Sequence, residues 1–339
     1  MSGISKPVAV LGAAMVFGLV VALSCAVPTQ VRASEGDLTA CAPGLESIDA
    51  SKLPSTFDLD NCPVRDRRIV DGEIGTVLPE SGEGIYAEVI TTDGPQELLV
   101  THAKDGTIDI SYAGVDLEPE TSDEAEPFTA KRGAYATSNG CRDSAYSNLR
   151  YKMDAGLRYR FNQRTTPREL TRRGATNAIK GGTVNITNTK NPCRLGDRVP
   201  VGFSYAGTTG RTADVRSGRC TKSNGQSVVS FGRLSRGTLG VTCTVFQLRN
   251  GLDKVVASDV KFNKSSVKWT TNPSAKSCRG KYDLESVVTH ERGHTFGLGH
   301  VSERTHGALT MSLISEGFCQ ASERSLGKGD VLGLDRKYP

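Results

Sequence analysis

Five stretches after residue 150 show alternating apolar and polar positions or short apolar runs, which are the patterns of β-strands. They are rich in β-branched and aromatic residues, and glycine or polar residues bound them: GLRYRFN, RVPVGFSYAG, QSVVSFGRLS, TLGVTCTVFQL and KVVASDVKFN. We therefore predict a β-sheet in the C-terminal half of the chain.

Two stretches among these strands have helical signals. The first, TPRELTRRGATNAIKGG at residues 166–182, has a Thr-Pro start and a Gly-Gly stop. The second begins at Asp283, which is a good N-cap residue, and its spacing puts Leu284, Val287 and Val288 on one apolar face. That face predicts contact with the core.

The longest apolar run lies near the N-terminus and reads PVAVLGAAMVFGLVVALSCAV, directly after Lys6. Together with VRA ending at Ala33, it predicts a secretory signal peptide at residues 1–33. Two alternatives stay open: an uncleaved membrane anchor, because the run approaches spanning length, and a lipid attached to Cys25. No later stretch is long and apolar enough to span a bilayer, so we expect a secreted, extracellular protein with no membrane contact after signal cleavage.

Eight cysteines follow the predicted cleavage position: Cys41, Cys62, Cys141, Cys193, Cys220, Cys243, Cys278 and Cys319. An even number in an exported chain indicates disulfides, although eight cysteines allow 105 pairings. Pairing each cysteine with its neighbour along the chain is the simplest hypothesis. It gives one disulfide before residue 129 and three after it, and the last of these spans the second predicted helix.

The net charge of +5 conceals two oppositely charged segments. Residues 34–128, the N-terminal segment, hold 22 Asp and Glu against 5 Lys and Arg, whereas residues 129–339, the C-terminal segment, hold 15 against 35. The change falls at LEPETSDEAEPFTAKRGA, an acidic stretch with prolines that indicates a linker. The basic residues are scattered and no nucleic-acid motif accompanies them, so we expect no nucleic-acid partner.

The stretch HERGHTFGLGH contains three of the five histidines of the chain. His290 and His294 are four residues apart, so on a helix they share one face and two imidazoles can converge on one ion. On a continuous helix His300 would lie about 15 Å along the axis from His290, too far to bind the same ion. The chain must therefore turn back, and Gly297 can adopt the positive φ that ends a helix.

Three neutral imidazoles and one open position are the arrangement that lowers the pKa of a zinc-bound water towards about 7. Glu291 lies beside the two helical histidines and can accept the proton of that water. We therefore predict one catalytic Zn²⁺ bound by His290, His294 and His300, with Glu291 as general base in the attack of water on a peptide carbonyl.

The motif HExxHxxGxxH with a following methionine, here Met311 in THGALTMS, is the signature of the metzincin zinc proteases. The C-terminal segment resembles the matrixin-like (peptidase M10-like) branch, also through LRYRFN, ASDVKFN and GDVLGLDRKYP. The resemblance implies an α+β catalytic domain with a twisted mixed sheet of about five strands, an active-site helix and a Met-turn at Met311. It also implies protein or peptide substrates, which would pair as an extra strand with the sheet edge at residues 239–245.

The same resemblance suggests that the N-terminal segment is a β-rich prosegment that partners the basic C-terminal segment until it is removed. The alternative is a small acidic domain that stays attached. Matrixin prosegments usually cap the zinc with a cysteine, but Cys62 lies in DNCPVRDRR, which does not match that sequence, and it has Cys41 as a partner. We therefore expect a zymogen without a cysteine cap.

The other histidines have simpler interpretations. His306 is expected to be a solvated loop residue, with a metal or substrate role as the alternative, and His102 a surface residue without a partner. The predicted function is a secreted, monomeric zinc endopeptidase. The alternative is a catalytically silent secreted protein that binds a metal or polyanions. Calcium is possible, although no motif indicates it.

Overall fold

The computed structural model describes residues 41, 46–92, 94–112, 139–312 and 317–339. The predicted signal peptide at residues 1–33 and the boundary between residues 128 and 129 lie outside the described residues. Among the described residues, no helix has the length and apolar character needed to cross a membrane.

The described part of the N-terminal segment is built of strands: β1 (Ser47–Asp49), β2 (Thr56–Asp58), β3 (Arg68–Asp71), β4 (Ile74–Val77), β5 (Glu83–Thr91), β6 (Gly94–His102) and β7 (Thr107–Ser111). A short 3₁₀ turn, Ala50–Lys52, follows β1. The expectation of a β-rich segment agrees with these strands.

The C-terminal segment combines strands with helices. Its strands are β8 (Ser147–Asn148), β9 (Tyr151–Met153), β10 (Arg158–Phe161), β11 (Ser204–Thr208), β12 (Val215–Arg216), β13 (Arg219–Cys220), β14 (Ser227–Gly232), β15 (Thr238–Gln247), β16 (Asp253–Asn263), β17 (Trp269–Thr270), β18 (Tyr282–Asp283) and β19 (Leu298–Gly299). Its α-helices are α1 (Arg172–Thr187), α2 (Leu284–Thr295), α3 (Glu303–His306) and α4 (Lys328–Lys337), and its 3₁₀ turns are Gln163–Thr165, Lys276–Cys278 and Ser322–Arg324.

One large mixed sheet runs through both segments in the order β11-β10-β14-β16-β15-β5-β6-β7-β2, with β9 beside the start of β16. The strands from β11 to β16 are parallel, and β15 and the strands beyond it are antiparallel to their neighbours. The predicted α+β class with a mixed sheet is confirmed. The sheet is larger than the five strands expected, because the N-terminal segment continues it beyond β15.

The junction between the segments is the β5–β15 pair, whose register runs from Thr91 opposite Thr238 to Glu83 opposite Gln247. Side chains alternate between the two faces of the sheet along β5. Ile85, Ala87 and Val89 join a core on one face, while Tyr86 and Ile90 join the core on the other face. Glu88 therefore faces the same side of the sheet as α2.

The two cores lie on opposite faces of the sheet. The larger one packs α1, α2 and α4 against the strands of the C-terminal segment, with Trp269 and six phenylalanines among its buried side chains. The smaller one combines strands of the N-terminal segment with Val241, Cys243 and Val245 of β15. Each segment thus buries apolar side chains of the other, and an exposed ion pair between Glu80 and Lys222 at 2.7 Å adds a contact between them.

Helix α1 differs from its prediction at both ends. Its N-cap is Thr171, whose hydroxyl accepts a hydrogen bond from Gly174 N, and the helix continues past the Gly-Gly pair to Thr187. The pair serves helix packing rather than helix termination: a Cβ on Gly182 would lie 2.5 Å from Val288 Cγ1 of α2. The two helices can come this close only where a side chain is missing.

The four disulfides join neighbouring cysteines: Cys41–Cys62, Cys141–Cys193, Cys220–Cys243 and Cys278–Cys319. The simplest pairing hypothesis is therefore confirmed. The first disulfide lies within the N-terminal segment and the other three lie within the C-terminal segment. None of the four joins the two segments.

Candidate metal centre

Helix α2 carries two of the three histidines and begins and ends where the sequence predicts. Asp283 caps it by accepting a hydrogen bond from Ser286 N at 3.0 Å, and Leu284, Val287 and Val288 are buried. The helix ends directly before Gly297, which has φ +92°. A Cβ at this glycine would also lie 2.2 Å from the carbonyl oxygen of Tyr151, so no other residue fits the turn without rearrangement.

The turn at Gly297 brings His300 back to the face of α2. The Nε2 atoms of His290 and His300 lie 2.9 Å apart, and each lies 3.1 Å from Nε2 of His294. All three side chains are buried. These three residues form the histidine cluster. Gly299 contributes by its small size, since it pairs with Ser147 in the β19–β8 ladder and a Cβ there would meet Ser147 Oγ at 2.7 Å.

The Nδ1 atom of each histidine faces a hydrogen-bond acceptor. The acceptors are the Thr310 carbonyl for His290 at 2.8 Å, the Leu298 carbonyl for His294 at 2.9 Å and Glu97 Oε1 for His300 at 2.8 Å. Each Nδ1 is therefore placed to donate a hydrogen bond, and in the neutral tautomer with the proton on Nδ1 each Nε2 presents a bare lone pair. Three lone pairs about 3 Å apart repel one another unless a cation lies among them.

These residues fit a zinc ion. Neutral imidazoles with a protonated Nδ1 are the form in which histidine binds zinc, and the acceptors at Nδ1 orient the rings. Burial lowers the pKa of His290 to about 3 and that of His294 well below its usual value, so both are neutral at physiological pH. Together with Glu88, the three histidines offer ligand atoms that all lie within 4.8 Å of one another.

Glu88 of β5 completes this group from the N-terminal segment. Its Oε1 lies 3.7 Å from Nε2 of His300, 3.8 Å from that of His294 and 4.0 Å from that of His290. The side chain is fully buried, and neither carboxylate oxygen accepts a hydrogen bond from a backbone amide, a hydroxyl or a side-chain amide in the described part of the chain.

Glu291 lies next to Glu88, and its Oε2 accepts a hydrogen bond from the Thr242 hydroxyl of β15. Burial raises the pKa of Glu291, and the contacts with Glu88 and with the Thr242 hydroxyl oppose that effect. Burial also raises the pKa of Glu88 well above its usual value, and the nearby Glu291 carboxylate raises it further. A divalent cation among these groups would act in the opposite direction on both carboxylates.

A second layer of contacts comes from Glu97 of β6 and Tyr86 of β5. The Tyr86 hydroxyl donates to Glu97 Oε1, the same oxygen that accepts from His300 Nδ1. Burial acts to raise the pKa of Glu97, but the contacts with His300 and Tyr86 outweigh it and the pKa is lowered. Glu97 is thus a carboxylate that orients His300, as the partners of metal-bound histidines commonly do.

Met311 lies beneath α2. Its Sδ would be 2.2 Å from a Cβ placed on Gly293, so the glycine inside the HExxH stretch makes room for the methionine. The loop around it is held by Asp330, which accepts hydrogen bonds from the backbone N–H groups of Thr310 and Met311. Because the Thr310 carbonyl contacts His290, this loop also sets the orientation of a histidine of the cluster.

The two remaining histidines lie away from the cluster. His306 Nδ1 lies 2.9 Å from Asp143 Oδ2, so this residue has a hydrogen-bond partner and is half-buried instead of solvated. His102 is buried, with 7% of its surface exposed, and its Nδ1 lies 2.9 Å from the Pro79 carbonyl. The expectation of a surface residue without a partner was wrong for His102, because it ends β6 under the turn that precedes β5.

Sequence reasoning missed the contribution of the N-terminal segment to the centre, namely Glu88, Glu97 and Tyr86. One signal was present in the sequence. The run GIYAEVI is apolar except for Glu88, and a single carboxylate in a strand that is otherwise buried is rarely left without a partner.

Comparison with protein families agrees with this geometry. Residues 225–339 match the family model described as Matrixin (Peptidase_M10), and this region contains the histidine cluster, Glu291 and Met311. No curated protein is significantly similar to the chain. The chain therefore carries a matrixin domain at its C-terminal end, and matrixins are a family of zinc metalloendopeptidases with protein substrates.

Proposed function

We propose that this chain, with its matrixin domain at residues 225–339, is a secreted zinc-dependent endopeptidase. His290, His294 and His300 are its zinc ligands, Glu291 is its general base and Met311 is its Met-turn residue. The observation that carries the proposal is the convergence of three bare Nε2 atoms within 3.1 Å of one another, beside a buried glutamate.

The chemistry divides between the ion and the chain. Zinc supplies the polarisation of a peptide carbonyl and the lowered pKa of a bound water. Glu291 accepts the proton of the attacking water and returns it to the leaving amine. The hydrogen bond from Thr242 holds the Glu291 carboxylate in place.

Strand β15 is the proposed binding edge for the substrate, at residues 239–245. An extended peptide gains backbone hydrogen bonds by adding to a strand edge. This edge passes close to Glu291, since a Cβ on Gly240 would lie 2.9 Å from Glu291 Oε1. A peptide paired there would therefore run past the histidine cluster.

The second candidate is a secreted protein that binds a metal without catalysis. A protein that only stores or senses a metal needs the three ligands but not a base. The hydrogen bond between Glu291 and Thr242, together with the complete burial of Glu291, favours the enzyme.

Secretion and processing form the second part of the proposal. Four disulfides and the family suit an extracellular protein. We propose that residues 1–33 are removed as a signal peptide and residues 34–128 as a prosegment. N-terminal sequencing of the active protein should then find a start near residue 129. An active form that starts at Ser34 would contradict removal.

The activity itself is tested on the full chain purified from culture medium. A brief treatment with trypsin, followed by a trypsin inhibitor, is used to cut after Lys131 or Arg132, in the stretch that the sequence predicts to be a linker. We expect the treated protein to hydrolyse casein, to lose this activity with a zinc chelator and to regain it when zinc is added. Hydrolysis that persists in the presence of the chelator, or none at all with zinc bound, would contradict the proposal.

A further inference from the structure

We propose that, in the intact chain, Glu88 is a fourth protein ligand of the zinc and β5 occupies the strand position of the substrate, so that the N-terminal segment inhibits the enzyme from within. This inference rests on the proposed function. Glu88 would occupy the coordination position that the catalytic water needs, and β5 would occupy the edge of β15 that the substrate needs.

The first argument is the pairing of β5. Strand β15 has β16 along one edge and β5 along the other, and β5 pairs with every residue from 240 to 245, with a register shift at residue 239. If β5 left, the edge of β15 beside the histidine cluster would become free for an extended peptide. While β5 is present, its backbone takes the hydrogen bonds that such a peptide would need.

The second argument is the position of Glu88 within that pairing. Glu88 lies directly opposite Thr242, the residue whose hydroxyl contacts Glu291. Glu88 therefore enters the centre beside Glu291, whereas Tyr86, two residues earlier on the same face, contacts His294 from the side of Nδ1. The neighbours of Glu88 on the strand, Ala87 and Val89, face the opposite core and have no access to the cluster.

The third argument is the shape of the ligand set. Four ligands about 2.05 Å from a tetrahedral zinc are separated from one another by about 3.4 Å. The three histidine Nε2 atoms are 2.9 to 3.1 Å apart, and Glu88 Oε1 is 3.7 to 4.0 Å from each of them. The observed distances lie on both sides of the tetrahedral value, with Glu88 above the face formed by the three nitrogen atoms.

The fourth argument is the burial of Glu88. A buried carboxylate usually accepts hydrogen bonds or contacts a cation, because burial without a partner is costly. Among the described residues, neither oxygen of Glu88 accepts a hydrogen bond from a backbone amide, a hydroxyl or a side-chain amide, and its polar neighbours are the Glu291 carboxyl group and the three histidines. Binding to a zinc ion explains why this group is present inside an otherwise apolar strand.

The remaining contacts of the hairpin support the same role. Glu97 of β6 accepts a hydrogen bond from His300, and the Tyr86 hydroxyl of β5 lies 3.4 Å from His294 Nδ1. The two strands therefore contact two of the histidines through residues other than Glu88. Cys62 is bonded to Cys41, so no thiol of this pair is free to cap the zinc. Because none of the four disulfides joins the segments, a cut between them leaves the N-terminal segment without a covalent attachment.

The test uses the intact chain with Co²⁺ in place of zinc, because the visible spectrum of cobalt reports its ligands. All proteins carry Glu291→Gln, which prevents self-cleavage. The probe is acetohydroxamate, a small metal ligand that does not need the edge of β15. The variants are Glu88→Ala and Glu88→Gln, and the control is Glu83→Gln, which removes a carboxylate from the same strand away from the cluster.

We expect the Glu88 variants to change the cobalt spectrum and to bind acetohydroxamate at least about 100-fold more tightly than the parent, since an intramolecular ligand no longer competes. The control should match the parent. If the parent and the Glu88 variants have the same cobalt spectrum and the same affinity for acetohydroxamate, the metal site is present but Glu88 is not one of its ligands.

Two further outcomes separate the possible failures. If the parent binds no cobalt and no zinc, the proposed function fails and this inference fails with it. If the Glu88 variants do not fold, zinc X-ray absorption of the unsubstituted intact chain decides the question. Three imidazoles with a protein carboxylate, resistant to acetohydroxamate, support the inference, whereas three imidazoles with an exchangeable water overturn it.

Discussion

Strand β5 and helix α2 each bring one glutamate to the histidine cluster, and the two carboxylates are held in different ways. Glu291 on α2 receives a hydrogen bond from Thr242, which fixes its orientation. Glu88 on β5 accepts no hydrogen bond from a backbone amide, a hydroxyl or a side-chain amide among the described residues and points its Oε1 towards all three Nε2 atoms. An oriented carboxylate suits proton transfer, whereas a bare carboxylate suits metal binding. This difference is the basis of our proposals that Glu291 is the general base and that Glu88 is a ligand that inhibits the same centre.

The largest expected effect is the loss of hydrolysis when Glu291, the proposed general base, is replaced. In the processed enzyme, Glu291→Ala should reduce casein hydrolysis by roughly 10² to 10⁴-fold, the usual contribution of a general base. Zinc content should not change, because three histidines still bind the ion. Glu285→Gln, on the same helix, is the control and should keep its activity. Unchanged hydrolysis in Glu291→Ala would assign the proton transfer to another group.

The next prediction tests the turn that completes α2. Gly297→Ala should lower the free energy of unfolding by more than about 4 kcal/mol, because positive φ and a clash with the Tyr151 carbonyl act together. Gly251→Ala is a matched control, since Gly251 has φ +103° but nothing within 4 Å of its missing Cβ. It should cost only the backbone strain of about 1 to 3 kcal/mol. If urea denaturation gave the same loss of unfolding free energy for both variants, the backbone near Tyr151 would have moved to relieve the clash.

A third buried carboxylate, Asp259 on β16, sharpens the comparison because it accepts hydrogen bonds from the backbone and lies outside the histidine cluster. Its Oδ1 accepts from Asp214 N and Val228 N, both at 3.2 Å. Burial, followed by the charge of Asp214, raises its pKa to about 8 from 3.8. Between these values the folded protein holds a proton that the unfolded chain has lost, so this group makes stability fall as pH rises from about 4 to 8.

Asp259→Asn should remove this pH dependence, because the amide oxygen can still accept both hydrogen bonds and the side chain no longer ionises. The measurement is the change in Tm between pH 5 and pH 8 for the two proteins. We expect a smaller fall in the variant. Parallel curves would mean that Asp259 is already ionised in the folded state at pH 5.

The smallest expected effect concerns how the two segments are held together. Lys222→Ala removes the ion pair with Glu80, whose two side chains are mostly exposed, and should leave the urea midpoint unchanged within error. Ile85→Ala removes a buried side chain from the core shared by both segments and should cost about 2 to 5 kcal/mol. If Lys222→Ala were the more damaging change, charge rather than burial would hold the N-terminal segment.

Local sequence signals predicted α2 and its surroundings well. The Asp283 cap, the apolar face of the helix and the positive φ of Gly297 depend on residues within one or two turns of each other. The five strands predicted in the C-terminal segment also follow from local patterns, and they correspond to β10, β11, β14, β15 and β16. These features depend on residues that are close together both in the sequence and in the fold.

The contribution of β5 could not be predicted in this way. Glu88 is about 200 residues from the histidines in sequence, and only the pairing of β5 with β15 brings it to them. The prediction that α1 ends at its Gly-Gly pair was wrong for a similar reason. A glycine that ends a helix and a glycine that lets two helices pack closely look alike in sequence. Such features depend on long-range packing, which a single sequence does not reveal.

The claim that underlies both glutamates is that the histidine cluster binds zinc, and the most direct test is the zinc content of the intact chain and its histidine variants. The account predicts about one zinc per chain for the parent and for His306→Ala, whose histidine lies outside the cluster. His290→Ala, His294→Ala and His300→Ala should each lose most of the bound zinc at a limiting zinc concentration. A parent without zinc, or cluster variants that retain as much as His306→Ala, would contradict the account.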